Sequence, residues 1–433
     1  MRTISIKSLD LEITTRCNLM CQYCYINLAE RSDLRDMSDE TIELVLDLIE
    51  KFGYPRPYLV DANGVKSKKN ATQIAFYGGE PILAFDRVRK FVNRSIERGM
   101  KLNFSLLSNG TVGTQEQANW LKAHNIWVQR SIDGYPEAQE KYRKNSVDAY
   151  IKCNEIFKDY DSSRRMTVRP EFAKDLLKSQ KFFESMGFYN GISPMPDYYA
   201  DWTDEQINDF KNSLWDLAKY YVEKWKEGKP FYNYYFNSEI IGRFIMQRSD
   251  FGCGGGRNLF AVDKDGWVYL CHRFTSDPHN SPFCFGHIKE ILEGTAKGFD
   301  KEVEEQISKH EKGNPQDWYD ECKTCLAQYG CEKGCMHTNI KTTGYINRPP
   351  KLYCEIRKTA TECVLWIDIQ LRHLDRKWYL KPPTLKTNNE RIRKMIIEYQ
   401  RSKNIPPRPV GATSLWCQPD FPNNSEKSNY YWR

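Results

Sequence analysis

Three absences narrow the possibilities before any motif is read. No run in the 433 residues approaches the ~18 consecutive apolar residues that a membrane span needs, and no export signal opens the chain. A soluble, cytoplasmic protein with no membrane partner is expected. There is also no Lys/Arg block: 64 basic residues are dispersed among 57 acidic ones, for a net charge of +7. A nucleic-acid arm or stripe is thereby disfavoured, and the balance reads as an ordinary solvated surface. Fourteen cysteines in a chain without an export signal, several of them in Cys-x2-Cys pairs, point to metal rather than disulfides. A hydrophobic content of 40% is ample for packed cores, and the length calls for two or three of them.

A further absence is local. Cys17, Cys21 and Cys24 stand at Cys-x3-Cys-x2-Cys spacing, and no fourth cysteine lies nearby. Leu9, Leu11 and Ile13 alternate with Asp10, Glu12 and Thr14 just upstream, so the three thiols lie in a loop that leaves a first strand. A [4Fe–4S] cluster needs four ligands, so three thiolates leave one iron open to an exogenous ligand. That points to chemistry at the cluster rather than electron storage alone.

The stretch that follows alternates helical and strand patterns. Ser38 starts a helix that runs to Phe52, residues 53–70 look like an exposed insertion, and residues 73–77 form a strand ending at Gly78-Gly79-Glu80-Pro81. Helix 85–97, strand 102–107, helix 115–124, strand 126–132, helix 147–157, strand 166–168 and helix 174–186 continue the series. About six βα repeats predict an α/β fold with a partial (β/α)6 TIM-type barrel, whose site gathers at the C-terminal strand ends. Gly78 and Gly79 sit at one such end and allow close backbone approach to a ligand. A long helix from Trp202 to Gly228 carries Trp215, Tyr220, Tyr221 and Trp225 as core aromatics, and residues 232–236 are aromatic enough to line a cleft.

With Tyr23 as its aromatic, the Cys17–Cys24 loop resembles the Cys-x3-Cys-x-aromatic-Cys signature of the radical S-adenosylmethionine (SAM) superfamily. The resemblance implies that SAM chelates the open iron, and that one electron splits it to methionine and a 5′-deoxyadenosyl radical. It further implies that the Gly78-Gly79-Glu80-Pro81 turn binds the SAM amino group, that Ser108 and Asn109 line the pocket, that Ser131 contacts the ribose and that Arg143 pairs with the SAM carboxylate. A guanidinium suits that last role through bidentate bonding.

The second cysteine field runs Cys253-x12-Gly266-x4-Cys271, then Cys322-x2-Cys325-x5-Cys331-x3-Cys335, then Cys354. Cys322-x2-Cys325 alone would fit a zinc ribbon. The whole pattern is similar to the seven-cysteine signature of SPASM domains, the auxiliary-cluster module of peptide-modifying radical SAM enzymes. By that resemblance Cys322, Cys325, Cys331 and Cys354 hold one [4Fe–4S] cluster, and Cys253, Cys271 and Cys335 a second, making three clusters with the SAM-binding one. Some relatives place a further cysteine where Leu259 stands here, so the second group is left with an open iron or is completed by Cys284 or another group. Residues 263–269 read as a hairpin with an Asp-Gly turn that brings Cys253 and Cys271 together. Cys153, Cys363 and Cys417 look like packing thiols.

The resulting organisation is a radical SAM partial barrel over 1–200, a bridging helical segment over 201–250, a small cysteine-rich α+β SPASM domain over 251–363 and a helical C-terminal extension over 364–433. Resemblance favours a maturase that abstracts hydrogen from a ribosomally made precursor peptide, giving a crosslink, a backbone rearrangement or an excision. The alternatives are an anaerobic sulfatase-maturating (formylglycine-generating) enzyme and a non-catalytic iron–sulfur electron carrier. Sulfatase maturases carry an Asp after the second SPASM cysteine, whereas His272 follows Cys271 here. Expected partners are the peptide or protein substrate and a flavodoxin- or ferredoxin-type electron donor. A separate leader-recognition protein is also expected, because the first barrel strand occupies the residues ahead of Cys17.

Overall fold

The computed structural model describes residues 4–26, 33–53, 71–157, 162–188, 192–229, 231, 233–237, 253–311, 319–327 and 331–371. Its strands are β1 (Ser8–Thr14), β2 (Thr72–Gly78), β3 (Leu102–Ser108), β4 (Trp127–Ser131), β5 (Ser162–Val168), β6 (Ile192–Pro196), β7 (Leu259–Val262), β8 (Trp267–Tyr269) and β9 (Cys284–His287). The helices that matter here are α1 (Asp39–Phe52), α2 (Phe85–Glu97), α3 (Gln115–Ala123), α4 (Pro136–Tyr142), α5 (Val147–Ile156), α6 (Leu176–Ser185), α7 (Asp204–Lys226), α8 (Tyr234–Asn237), α9 (Lys301–Glu311), α10 (Met336–Thr343) and α11 (Lys351–Leu371). Two compact units result. One comprises Met1–Thr167, Gly252–Glu311 and Lys333–Pro349, the other Val168–Phe251, Lys312–Glu332 and Pro350–Arg433.

In the first unit the strand order is β5-β4-β3-β2-β1-β7-β8-β9, with β1 to β5 parallel, as the βα alternation requires. Among the described strands the sheet stays open. Leu9, Leu11 and Ile13 pack into one core with Ile42, Val45, Leu46 and Ile49 of α1 and Val88, Phe91 and Val92 of α2. The opposite face of β1 is not solvated: Asp10 is 6% exposed and Glu12 2%. The period-two alternation of β1 therefore separates an apolar buried face from a polar buried one. Ser38 caps α1 by accepting the Thr41 N–H at 3.0 Å, worth about 1 kcal/mol.

Several boundaries depart from the sequence pattern for physical reasons. β5 starts at Ser162 rather than 166, because its Ser-Ser-Arg-Arg stretch pairs residue for residue with β4 despite lacking apolar alternation. The polar helix α4 and the proline-flanked strand β6 are absent from the sequence reading; α4 begins with Pro136 at its first turn, where no backbone N–H is needed. The stretch expected as one helix over 174–186 ends a 3₁₀ turn (Pro170–Asp175) and then forms α6.

The second cysteine field contributes strands to the barrel sheet. β7 pairs in parallel with β1, Ser8 opposite Leu259, and β7–β8 is an antiparallel hairpin. Its turn is a four-residue one: Asp263 Oδ1 accepts the N–H groups of Asp265 and Trp267 at 2.9 Å each, and Gly266 takes a positive φ of 94°.

The second unit is built on α7, which packs against α11, α6 and the Pro170–Asp175 turn. Of its aromatics Tyr221 and Trp225 are core, as expected, whereas Trp215 and Tyr220 are half-buried. The Tyr221 ring meets Phe231 and Phe236 at 5.2 and 5.3 Å, and Trp215 meets Trp366 at 5.9 Å. Tyr235 and Phe236 are buried in this core rather than lining a cleft; Tyr232 lies outside the described residues, as do the insertion from 54 to 70, Cys417 and everything beyond Leu371. Cys153 and Cys363 are buried. No helix among the described residues is long and apolar enough to cross a membrane.

Candidate active site and cysteine groups

The ends of β1 to β4 bring the candidate site residues together. The loop after β1 is braced on both sides of Cys17. Thr14 Oγ1 donates to Asp36 Oδ1 at 2.6 Å, and the Arg16 guanidinium donates to both Asp36 oxygens at 2.8 and 2.6 Å and to the Leu83 carbonyl at 2.9 Å. From the other side, Gly79 N–H donates to the Thr14 carbonyl at 2.9 Å and Glu80 N–H to the Arg16 carbonyl at 2.7 Å. A Cβ on Gly78 would lie 2.0 Å from the Thr14 oxygen, and one on Gly79 2.2 Å from that of Arg16. The close approach these glycines permit is thus to the chain's own cysteine loop.

Glu80 is wholly buried. It accepts the N–H of Ile82 at 3.1 Å and that of Asn109 at 2.6 Å, which locks the β2 and β3 ends together. Burial pushes its carboxyl up to about 7, against the pull of those N–H groups, the Ser108 hydroxyl and the Arg143 charge. Ser108 in turn accepts the Gly110 N–H at 3.0 Å. Asn109 reaches the cysteine loop: its Nδ2 donates to Asn18 Oδ1 at 2.8 Å and lies 3.8 Å from Cys17 Sγ, while its Oδ1 accepts from Thr111 at 2.6 Å. Ser131 closes β4.

Arg143 caps α4 and is buried, with Nε donating to Asp133 Oδ2 at 2.8 Å and its charge 5.4 Å from the Tyr23 ring centre. Tyr23 also donates its hydroxyl to Asp133. The aromatic of the cysteine loop, a carboxylate two residues beyond β4 and a guanidinium after α4 therefore form one buried network. Asp133, Asn18, Thr111 and Asp36 were not singled out from sequence. A carboxylate just past a parallel strand is the one signal that could have pointed to Asp133.

Beside this cluster loop lies a second polar group. His272 Nδ1 is 2.6 Å from Asp10 Oδ2, and the His272 ring is 5.8 Å from that of Tyr25 and 5.4 Å from that of Tyr77. Tyr77 donates to Thr275 Oγ1 at 3.1 Å, and the Arg273 guanidinium sits 4.7 Å from the Tyr25 ring.

Ten of the described thiols fall into three groups. Burial pushes Cys17 up and Cys21 up to about 11; Cys17 also feels Cys24, and Cys21 feels both Cys24 and Cys17. Burial also raises Cys271, with Cys335 and Cys253 adding to the effect, so these three converge. Cys354 is pushed up to about 12 by burial, then by Cys331, Cys322 and Cys325. Cys253, Cys271 and Cys335 belong to the first unit, and Cys322, Cys325, Cys331 and Cys354 to the second. Cys284 pairs with Tyr269 across β8 and β9 and is pushed up to about 11 by burial, with Gly286, Asp263, Glu290 and Tyr269 acting on it. Among the described residues no three Cys, His, Asp or Glu side chains converge as a single ion would require. The donor sets, three thiols, three thiols and four thiols, fit multi-iron clusters, whose loading releases the thiol protons.

Residues 11–182 match the family described as the Radical SAM superfamily. The chain is 25% identical over 342 residues to a cysteine-type anaerobic sulfatase-maturating enzyme of Clostridium perfringens, covering 74% of this chain and 85% of that one. It is 22% identical over 283 residues to the radical SAM cyclopropyl synthase TigE of Paramaledivibacter caminithermalis, covering 61% of this chain and 57% of TigE. Among solved structures, native anSMEcpe with bound AdoMet shares the fold at a TM-score of 0.65 and 21% identity, over 84% of this chain and 98% of that one. Streptococcus suis SuiB bound to precursor peptide SuiA follows at a TM-score of 0.50 and 15% identity, over 81% and 76%.

Proposed function

We propose that this chain is a radical SAM enzyme of the SPASM-type group that matures a ribosomally made peptide, installing a crosslink or rearranging or excising backbone; the match of residues 11–182 to the Radical SAM superfamily supports the first part of that reading. The observation that carries this reading is the joining of the three-thiol loop, which leaves β1, to the ends of β2, β3 and β4 through Glu80, Asn109 and Asp133, with Arg143 bound to Asp133. With cluster and SAM bound, the site supplies reductive cleavage of SAM and a 5′-deoxyadenosyl radical for hydrogen abstraction.

The chain's own residues would do the rest. Cys17, Cys21 and Cys24 would hold the cluster, with the Asn109 amide steadying the Cys17 sulfur. Glu80, once ionised, and Arg143 would present one negative and one positive charge to match the amino and carboxylate groups of SAM. Asp133 fixes the Arg143 guanidinium, so that one of its edges is committed to the protein and the remaining donors are oriented. Ser108, Asn109 and Ser131 would line the rest of the pocket. The two further thiol groups would hold auxiliary clusters.

A second reading, sulfatase maturation, is favoured by the similarity to the Clostridium perfringens enzyme. His272 stands where those enzymes carry the Asp, a departure from their pattern, and its Nδ1 lies 2.6 Å from Asp10 Oδ2. A separate leader-binding protein and a flavodoxin- or ferredoxin-type donor belong to this proposal. Reduced, cluster-loaded protein is to be incubated with SAM and either a precursor peptide from the gene's neighbourhood or a sulfatase-derived Cys peptide. Mass changes in the precursor alone support maturation, whereas formylglycine in the sulfatase peptide establishes the second reading instead.

A further inference from the structure

One buried cation of the second unit has a donor that the protein leaves unanswered. Arg357 lies on α11, three residues after Cys354 and so on the same helix face. It is 4% exposed. Its Nε donates to the Tyr353 hydroxyl at 3.0 Å and its Nη2 to Glu332 Oε2 at 3.2 Å. The rings of Tyr353 and Tyr234 flank the guanidinium at 5.3 and 5.8 Å. The third nitrogen, Nη1, is buried with no acceptor among the described residues. A charged donor stranded in this way costs more than a neutral one. The aromatic shell of Tyr353, Tyr234 and Tyr235 offers ring faces, and Cys331 is the cysteine whose charge reaches the guanidinium. Glu332, the one carboxylate bound to it, follows Cys331 directly in the chain.

We propose that Arg357 is a positioning residue that donates Nη1–H to sulfur of the four-cysteine cluster on its Cys331 side and holds the reduction potential of that cluster up. The inference rests on the reading of Cys322, Cys325, Cys331 and Cys354 as cluster ligands. An N–H···S bond from a fixed cation stabilises the more negative, reduced cluster over the oxidised one, and such bonds are among the principal settings of iron–sulfur potentials. Tyr353 and Glu332 explain how the guanidinium is aimed: they occupy two of its nitrogens and leave the third for the sulfur. Lys358, also near Cys325 and Cys354, is tied to Glu355 at 3.2 Å and keeps its charge toward the carboxylate.

The test uses the full chain with Cys17, Cys21 and Cys24 changed to Ala, so that only auxiliary clusters remain, with and without Arg357→Met or Arg357→Lys. Iron content and mediated redox titrations followed by electron paramagnetic resonance are the readouts. Arg357→Met should load the same iron and show one cluster at least tenfold harder to reduce, about 59 mV for one electron. The signal of the other cluster should stay in place, and Arg357→Lys should move the same signal less. If Arg357→Met loads less iron, Arg357→Lys decides, since it keeps the charge. Either fully loaded variant titrating at the parent's potential overturns the inference. A parent chain whose iron content is unchanged by Cys322→Ala plus Cys325→Ala overturns the underlying cluster assignment instead.

Discussion

Arg143 and Asp133 show how the site is held at the level of single residues. Both side chains are buried, so removing one leaves the other as an uncompensated charge, and such losses cost roughly 3–5 kcal/mol. Asp133→Asn should therefore lower urea-unfolding stability of the cluster-free chain by about that amount; a change under about 1 kcal/mol would mean that the pair is hydrated and only loosely held. Glu80 makes a different prediction. Glu80→Gln keeps a side-chain acceptor for the Ile82 and Asn109 N–H groups but removes the charge proposed for the SAM amino group. A charge-assisted bond of ~1.5–3 kcal/mol should be lost, raising the SAM dissociation constant roughly ten- to a hundred-fold at unchanged iron content. Wild-type affinity by calorimetry would remove Glu80 from the SAM site. Neither pairing could be read from sequence, where Asp133 and Arg143 are merely ten positions apart. A hydrogen bond across a loop leaves no period to detect.

At the scale of elements, the helices and central strands were legible because apolar periodicity and caps mark them: Ser38 before α1, and β2 and β3 within a residue or two of their expected limits. The parallel pairing of β7 with β1 was not, since it joins residues about 250 positions apart, and nothing local in Leu259–Val262 specifies a neighbour. Helix α9 carries a consequence of its packing. His310 is fully buried there, and burial, followed by the Lys333 charge, lowers its pKa to about 4, against weaker opposition from the Gly334 and Lys333 backbone. The unfolded chain takes up this proton near 6.5 and the folded chain only near 4. Stability is thus present in full above 6.5 and falls as pH drops from 6.5 to 4, by about 3 kcal/mol. Thermal melts of the cluster-free chain across that range should decline less steeply for His310→Phe than for the parent; parallel declines would show that other groups carry the acid sensitivity.

For the molecule as a whole, the count of clusters is the open quantity. The seven thiols of the second field were legible as a set from spacing. Their division between two compact units was not, because the chain crosses from one unit to the other between Glu311 and Lys312, again after Glu332 and again after Pro349. Saturating reconstitution should give about twelve irons per chain if all three groups hold [4Fe–4S] clusters. Saturation at about four irons, with zinc on Cys322 and Cys325, would reduce the second field to a structural zinc site. The central claim is narrower: the Cys17–Cys24 loop is where SAM is cleaved. The direct measurement is 5′-deoxyadenosine released from SAM and reductant by the reconstituted protein and by its Cys17→Ala, Cys21→Ala, Cys24→Ala triple variant. The account predicts release by the parent and none by the variant, with the auxiliary iron retained; equal release by the two proteins would contradict it.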